Sequence, residues 1–460
     1  MENKVAVGHA GRRPPAGTGG RGGAPRRNRR RRTQIRRNAV VLAWFVAAAV
    51  LTVGVIAGPL AGWGGWLPLH ALLVGGIGSA ITIWSAHFAD TLLHRPALGG
   101  AVLLDTRLYA HCVGAVAVLV GITTERSALT LTGVVLVVAC ALAGVAAICV
   151  QYRRALAPAM APLAIHYPTA LVALAIGAVL GYLITWADAR GAAASADALY
   201  LAHTTTMVMG FVGITVLGTL TVLWPTMLRT KMEPMAARWA ARGLPALVVG
   251  TAATAGAGLW RPAAAIGAVA YLTGAATVVL PAAMTARRVA PTSFASMSAA
   301  AAVSWLLACV GYIGTGIVMA DDTAAAREVI HTVRVALGAG FALQIVAAAL
   351  SYLTPVMLGG GPSVARATNA ILDRGATYRT ATANLCLLLA VARVLPWEVR
   401  LVAAAGAGLV SAYVLVGIAL AVAQVMRGTG RKRAESTPRA VADRAAGGAV
   451  VTDERDFHEQ

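Results

Sequence analysis

Runs of about twenty apolar residues recur along the whole chain, as in "NAVVLAWFVAAAVLTVGVIAG" at 38–58 and "GVVLVVACALAGVAAICV" at 133–150. At 1.5 Å rise per residue, a helix of that length crosses a hydrocarbon core of about 30 Å. In lipid the backbone must satisfy its own hydrogen bonds, and a continuous apolar run does so as a helix. Composition agrees: 58% of the 460 residues are hydrophobic, 12% are charged and the mean hydropathy is +0.71. A soluble chain carries roughly a quarter of its residues charged. The expected fold class is all-α, a polytopic membrane protein.

Punctuation by charge, proline and glycine divides the chain into twelve expected spans: 38–62, 67–93, 107–124, 128–151, 160–187, 197–224, 241–260, 262–284, 295–320, 328–354, 378–395 and 398–426. The connections between them test this division. With the N-terminus inside, the inner connections carry thirteen basic residues, among them Arg95, Arg153, Arg229 and Arg374. The outer ones carry five: Arg126, Arg190, Arg261, Arg327 and Arg400. That bias is the positive-inside rule, and it places both termini in the cytoplasm of a multi-pass cell-membrane protein. Trp63, Trp66, Trp186, Trp260 and Trp397 at outer span ends, with Trp224 and Trp239 at inner ones, form the expected aromatic belts.

Residues 1–37 hold eleven arginines and Lys4 against Glu2, which accounts for +11 of the +21 net charge. "RRNRRRRTQIRR" directly precedes the first apolar run and has no interleaved aromatics. It is expected to be a basic cytoplasmic tail held at anionic headgroups, with membrane lipid and not nucleic acid as its partner. Both 1–37 and 427–460 are expected to be disordered, flanking a membrane domain at 38–426. The five cysteines, Cys112, Cys140, Cys149, Cys309 and Cys386, form no CxxC and no zinc spacing, and read as core residues. No Walker A, GxSxG or GxGxxG motif stands in a suitable context, and no catalytic residue is expected.

The histidines carry the chemistry. His70, His203 and His331 open the second, sixth and tenth spans at the outer side, a constant four spans apart. "HTTTMVMGFVGITVLGTLTVLWPTML" and "HTVRVALGAGFALQIVAAALSYLTPVML" share a glycine seven residues after the histidine and an aromatic–proline pairing near the end. This hints at a threefold repeat of four helices. Neutral imidazoles are good ligands for haem iron and copper, and Arg334 stands one turn from His331 to meet a propionate. The plainer reading is that each histidine is merely interfacial. On the inner side "HFADTLLH" places His87, Asp90 and His94 on one helix face, a metal or proton-entry site on the functional reading and an interfacial polar stripe on the plain one.

Twelve spans with histidines opening the second, sixth and tenth resemble subunit I of the haem–copper oxidase superfamily. The closer likeness is to its small NnrS-type haem- and copper-containing relatives. "ITIWSAHFADTLL", "TVLGTLTVLWPTMLRTKM" and "ALSYLTPVMLGGGP" also look like the membrane regions of some bacterial copper-oxidase chains. The resemblance implies that His70 and His331 are the axial ligands of a haem and that His203 is a copper ligand. The sequence departs from the oxidase pattern at three places. Met207 stands where a tyrosine is expected, the seventh span has no histidines, and Val333 replaces a second histidine. A single haem or one metal is then the most this set supports. The expected role is electron transfer or the handling of nitric oxide or copper, with a redox partner protein and without oxygen reduction. A secondary transporter and an accessory subunit are the competing classes.

Overall fold

The computed structural model describes residues 23–156, 160–358 and 362–447, with side chains described for 33–156, 160–355 and 362–424. Among the described residues the chain is helical, with no strand. Ten helices are long and apolar enough to cross a membrane. They are α1 (Thr33–Ile56), α2 (Trp66–Leu93), α3 (Gly100–Thr123), α4 (Ser127–Arg153), α5 (Ala161–Asp188), α6 (Ala193–Met227), α8 (Ala263–Arg288), α9 (Phe294–Val318), α10 (Thr323–Pro355) and α12 (Trp397–Gln424). Two more occupy the remaining expected positions. In α7 (Ala236–Ala255), Arg238 and Arg242 dilute the apolarity, and α11 (Ala376–Val391) has only 16 residues.

The end of α11 differs from the expected 395. Ala392 turns extended at φ −72° and ψ 95°, four residues before Pro396, which disfavours helix in the residue preceding it. Arg393 therefore lies in a connection, where its guanidinium pairs with Glu328 at 2.9 Å. Helix also reaches past the apolar runs at both ends of the chain, from Gly23 and on to Gly447. Those stretches fall in the two tails expected to be disordered; alanine and arginine there have high helix propensity. Residues 1–22 and 448–460 of those tails lie outside the described residues.

The helices alternate in direction, and contacts between connections show it. At the basic end, Arg95 Nε donates to Arg154 O at 3.0 Å, Arg288 pairs with Glu233, and Phe294 N donates to Asp373 Oδ1 at 2.9 Å. At the opposite end, Arg261 donates to Ala320 O, and Arg327 Nη1 meets Asp197 Oδ1 at 2.8 Å. Each set joins connections an even number of helices apart.

Neighbouring helices close on one another through glycine. A Cβ at Gly250 of α7 would stand 2.7 Å from Gly267 O of α8, and one at Gly243 would stand 2.8 Å from Gly274 O. These reciprocal approaches of backbone to backbone leave no room for a methyl group, as is common where apolar solvent gives helices no other reason to associate.

Three helices carry π-helical segments: Ala71–Ile77 in α2, Thr206–Gly213 in α6 and Ala336–Leu343 in α10. Each follows a histidine by one to five residues. A π turn widens the hydrogen-bond ladder, and two of the segments have a carbonyl engaged from a neighbouring helix. His111 Nε2 of α3 donates to Val74 O at 2.9 Å, and Tyr271 of α8 donates its hydroxyl to Met209 O at 3.0 Å.

Candidate functional site

His70 of α2 and His203 of α6 come together from 133 residues apart in sequence. Their ring centroids lie 6.4 Å apart, with planes inclined by 14°. Both rings are half-buried at the end of the bundle opposite the basic connections. Each ring is held by its Nδ1. His70 Nδ1 donates to Trp66 O, one turn back on its own helix, at 2.8 Å. His203 Nδ1 donates to Gly177 O of α5, also at 2.8 Å. A carbonyl only accepts, so the hydrogen sits on Nδ1 and the neutral ring keeps its lone pair on Nε2. An Nδ1–H fixed on a backbone carbonyl is the usual support behind a metal-ligating Nε2.

The surroundings shape the pair. The Trp66 ring stacks on His70 at 4.5 Å. His203 fits against Gly181 of α5, where a Cβ would stand 3.0 Å from its Cε1. Met207, one turn on, packs its Sδ into the space left by Gly177. Met207, a departure from the oxidase pattern, thus places a soft sulfur beside the histidine-bearing groove.

His331 is elsewhere. Its ring lies 5.2 Å from Tyr200, and Arg327 Nε approaches its Nε2 at 3.5 Å. Arg327 also stands over the Tyr200 ring at 4.6 Å and bonds Asp197, which ties α10 to α6. The expected axial pair of His70 with His331 is thus not the pair whose rings adjoin. Height explains why. Gly338 of α10 packs on Leu69 Cδ1, at the level of His70, and His331 lies seven residues earlier. That offset is about 10 Å along the helix. Arg334 is exposed on α10.

At the basic end, "HFADTLLH" organises a connection. Asp90 Oδ1 accepts from Ala97 N at 2.9 Å and from Gln151 Nε2 at 2.7 Å, while Gln151 also donates to Arg95 O. His94 closes α2 in the left-handed conformation at φ 49°. His87, Asp90 and His94 are all exposed. Among the described residues no group of three or more His, Cys, Asp or Glu side chains converges as a metal site.

Two buried histidines are not part of the pair. His111 serves the π segment of α2. His166 of α5 is fully buried against Gly218 and donates Nδ1 to Leu163 O at 3.1 Å. Away from the spans, burial against α9 pushes the Asp373 carboxyl above its ordinary value, although Phe294 N, Arg229 and Arg379 act the other way.

No protein-family model matches the chain, and no curated protein matches it.

Proposed function

We propose that the chain is a twelve-span cell-membrane protein that holds one metal centre, haem iron or copper, between His70 and His203 near the outer face. The observation that carries this reading is the ring pair. Two half-buried imidazoles from different helices stand 6.4 Å apart, centre to centre, and a backbone carbonyl engages the Nδ1 of each, so each would offer its Nε2 to a metal. Structural zinc takes four ligands, and no third His, Cys, Asp or Glu joins the two rings among the described residues. His70 and His203 would hold haem iron, or cuprous copper with Met207 as a neighbouring soft sulfur, better than they would hold structural zinc.

Such a centre supplies one-electron chemistry when bound, in electron transfer or in the handling of nitric oxide or copper. The chain's own residues prepare for it. Gly177 O and Trp66 O hold the rings with Nε2 available, and Trp66 covers His70 from solvent. A redox partner at the outer face completes the reading. The π segments of α2, α6 and α10 support a threefold repeat of four helices, with the pair lying where two repeats meet.

The test is metal analysis with a reduced-minus-oxidised visible spectrum of the purified protein, for the wild type and for His70→Ala, His203→Ala and His331→Ala. The expected result is a metal signal lost in the first two variants and kept in the third. A signal lost only in His331→Ala, or no metal in protein expressed with ample haem and copper, would overturn the reading.

A further inference from the structure

A second site lies away from the histidines. Between α9, α10, α11 and α12 the packing leaves a cavity of about 160 Å³. Small residues make the space, Ala339, Ala347, Ala383, Ala407 and Gly408 among them. On α11 the lining runs from Thr380 to Ala390, so the cavity is a slot about 15 Å long at 1.5 Å per residue. No Asp, Glu, Lys, Arg or His lines it.

One wall residue does not belong in an apolar slot. Gln344 of α10 is 9% exposed, and neither its Oε1 nor its Nε2 has a hydrogen-bond partner in the protein. A buried amide left unpaired is costly, and most such groups in proteins have a partner. Hydroxyls from three other helices surround the same space: Ser298 of α9, Thr380 of α11 and Ser411 of α12. Ser298 and Thr380 stand 3.5 Å apart, and Ser411 donates to Ala407 O at 2.9 Å, which leaves its oxygen able to accept. The site is therefore neutral and offers both donors and acceptors among otherwise apolar side chains.

The slot has a side opening. Ala404 and Gly408 line it from the exposed face of α12, and a Cβ built at Gly408 would meet no atom within 4 Å. In a bilayer that opening faces lipid, so a membrane-soluble molecule enters without crossing water. Size narrows the class further. A protein cavity of about 150 Å³ holds one benzene ring. An uncharged six-membered ring carrying oxygen matches both the volume and the amide.

We propose that this slot binds the ring of a membrane quinone, with the Gln344 amide hydrogen-bonded to a ring oxygen and the isoprenoid tail leaving beside Gly408. The site is separate from the histidine pair and needs no metal. To test it, the full-length protein purified in detergent is illuminated with an arylazido derivative of a short-tailed benzoquinone, with decylubiquinone as competitor, and the labelled peptides are mapped. The expected result is saturable labelling of α9–α12 peptides, at least tenfold weaker in Gln344→Leu and in Gly408→Leu. The second variant fills the opening where no atom stands and replaces a poor helix former, so it keeps the fold. Equal labelling in both variants, labelling confined to other helices, or labelling that decylubiquinone does not compete away would overturn the proposal and leave a slot filled by water or lipid. A protein that binds the quinone without any metal signal would sink the metal reading alone, and a metalloprotein that fails to label would sink the quinone alone.

Discussion

The carbonyl of Gly177 on α5 accepts a hydrogen bond from His203 Nδ1 of α6 at 2.8 Å, so the orientation of the ring is set by a helix that does not carry it. The absence of a side chain at Gly177 and at Gly181 is what lets α6 come this close.

Gly181→Ala tests that dependence. Its Cβ would stand 3.0 Å from His203 Cε1 and 3.1 Å from Nδ1, so the ring must give by a few tenths of an ångström. Changes behind a metal ligand typically cost about 10–100-fold in affinity. Metal titration should show a loss of that order with little change in thermal stability. Unchanged affinity would mean that the α5 groove does not position the ring.

Asp90→Ala separates a structural role from a metal-binding one at the basic end. The substitution leaves Ala97 N and Gln151 Nε2 without their shared acceptor. The expected cost is about 1–3 kcal/mol of stability, with faster proteolysis after Arg95 and unaltered metal content. Metal loss in this variant would favour the functional reading of His87, Asp90 and His94.

Gly250→Ala probes the α7–α8 contact. The added carbon would meet Tyr271 N at 2.5 Å and Gly267 O at 2.7 Å, both backbone atoms that cannot rotate away. Overpacking of this kind costs about 1–3 kcal/mol. Thermal melting in detergent should show the drop, and an equal or higher midpoint would contradict the close approach.

Asp373 gives a pH dependence whose sign follows from its burial. Its carboxyl is raised above the ordinary value, so the folded state holds the proton more tightly than the unfolded state does. The associated stability is present below the usual carboxylate range near pH 4 and is lost as pH rises through the raised value. Asp373→Asn keeps the oxygen that accepts from Phe294 N and should remove this part of the pH profile. Parallel profiles for the two proteins would show that Asp373 titrates normally.

Much of the architecture was legible because it rests on local signals. Apolar length and the alternation of Arg95, Arg153 and Arg229 with Arg126 and Arg190 carry the positions of the helices and the alternation of their directions. The connections at Arg95–Arg154 and Arg261–Ala320 meet as that alternation requires. The site was legible only as a set of residues. Position along a helix treats His70, His203 and His331 as equivalents, whereas their pairing depends on the relative height of α10, which is visible only where Gly338 meets Leu69. Asp90 shared a helix face with two histidines, yet its partners lie on Gln151, 61 residues away, and at the backbone of Ala97. The polarity of Gln344 stood in plain view in an apolar run, but only the packing of four helices around it shows a space to fill.

The π segments make the length of three helices matter more than their composition. A π turn carries one residue more than the α turn it replaces, so the part of α2, α6 or α10 on its far side is rotated by about 100° from the phase an unbroken helix would give. Removing a single residue from Thr206–Gly213 would leave hydropathy nearly untouched, yet it would swing His203 out of line with the lower half of α6. The placement of His203 is therefore written partly as an insertion, a kind of information that substitution of one side chain for another can neither create nor erase.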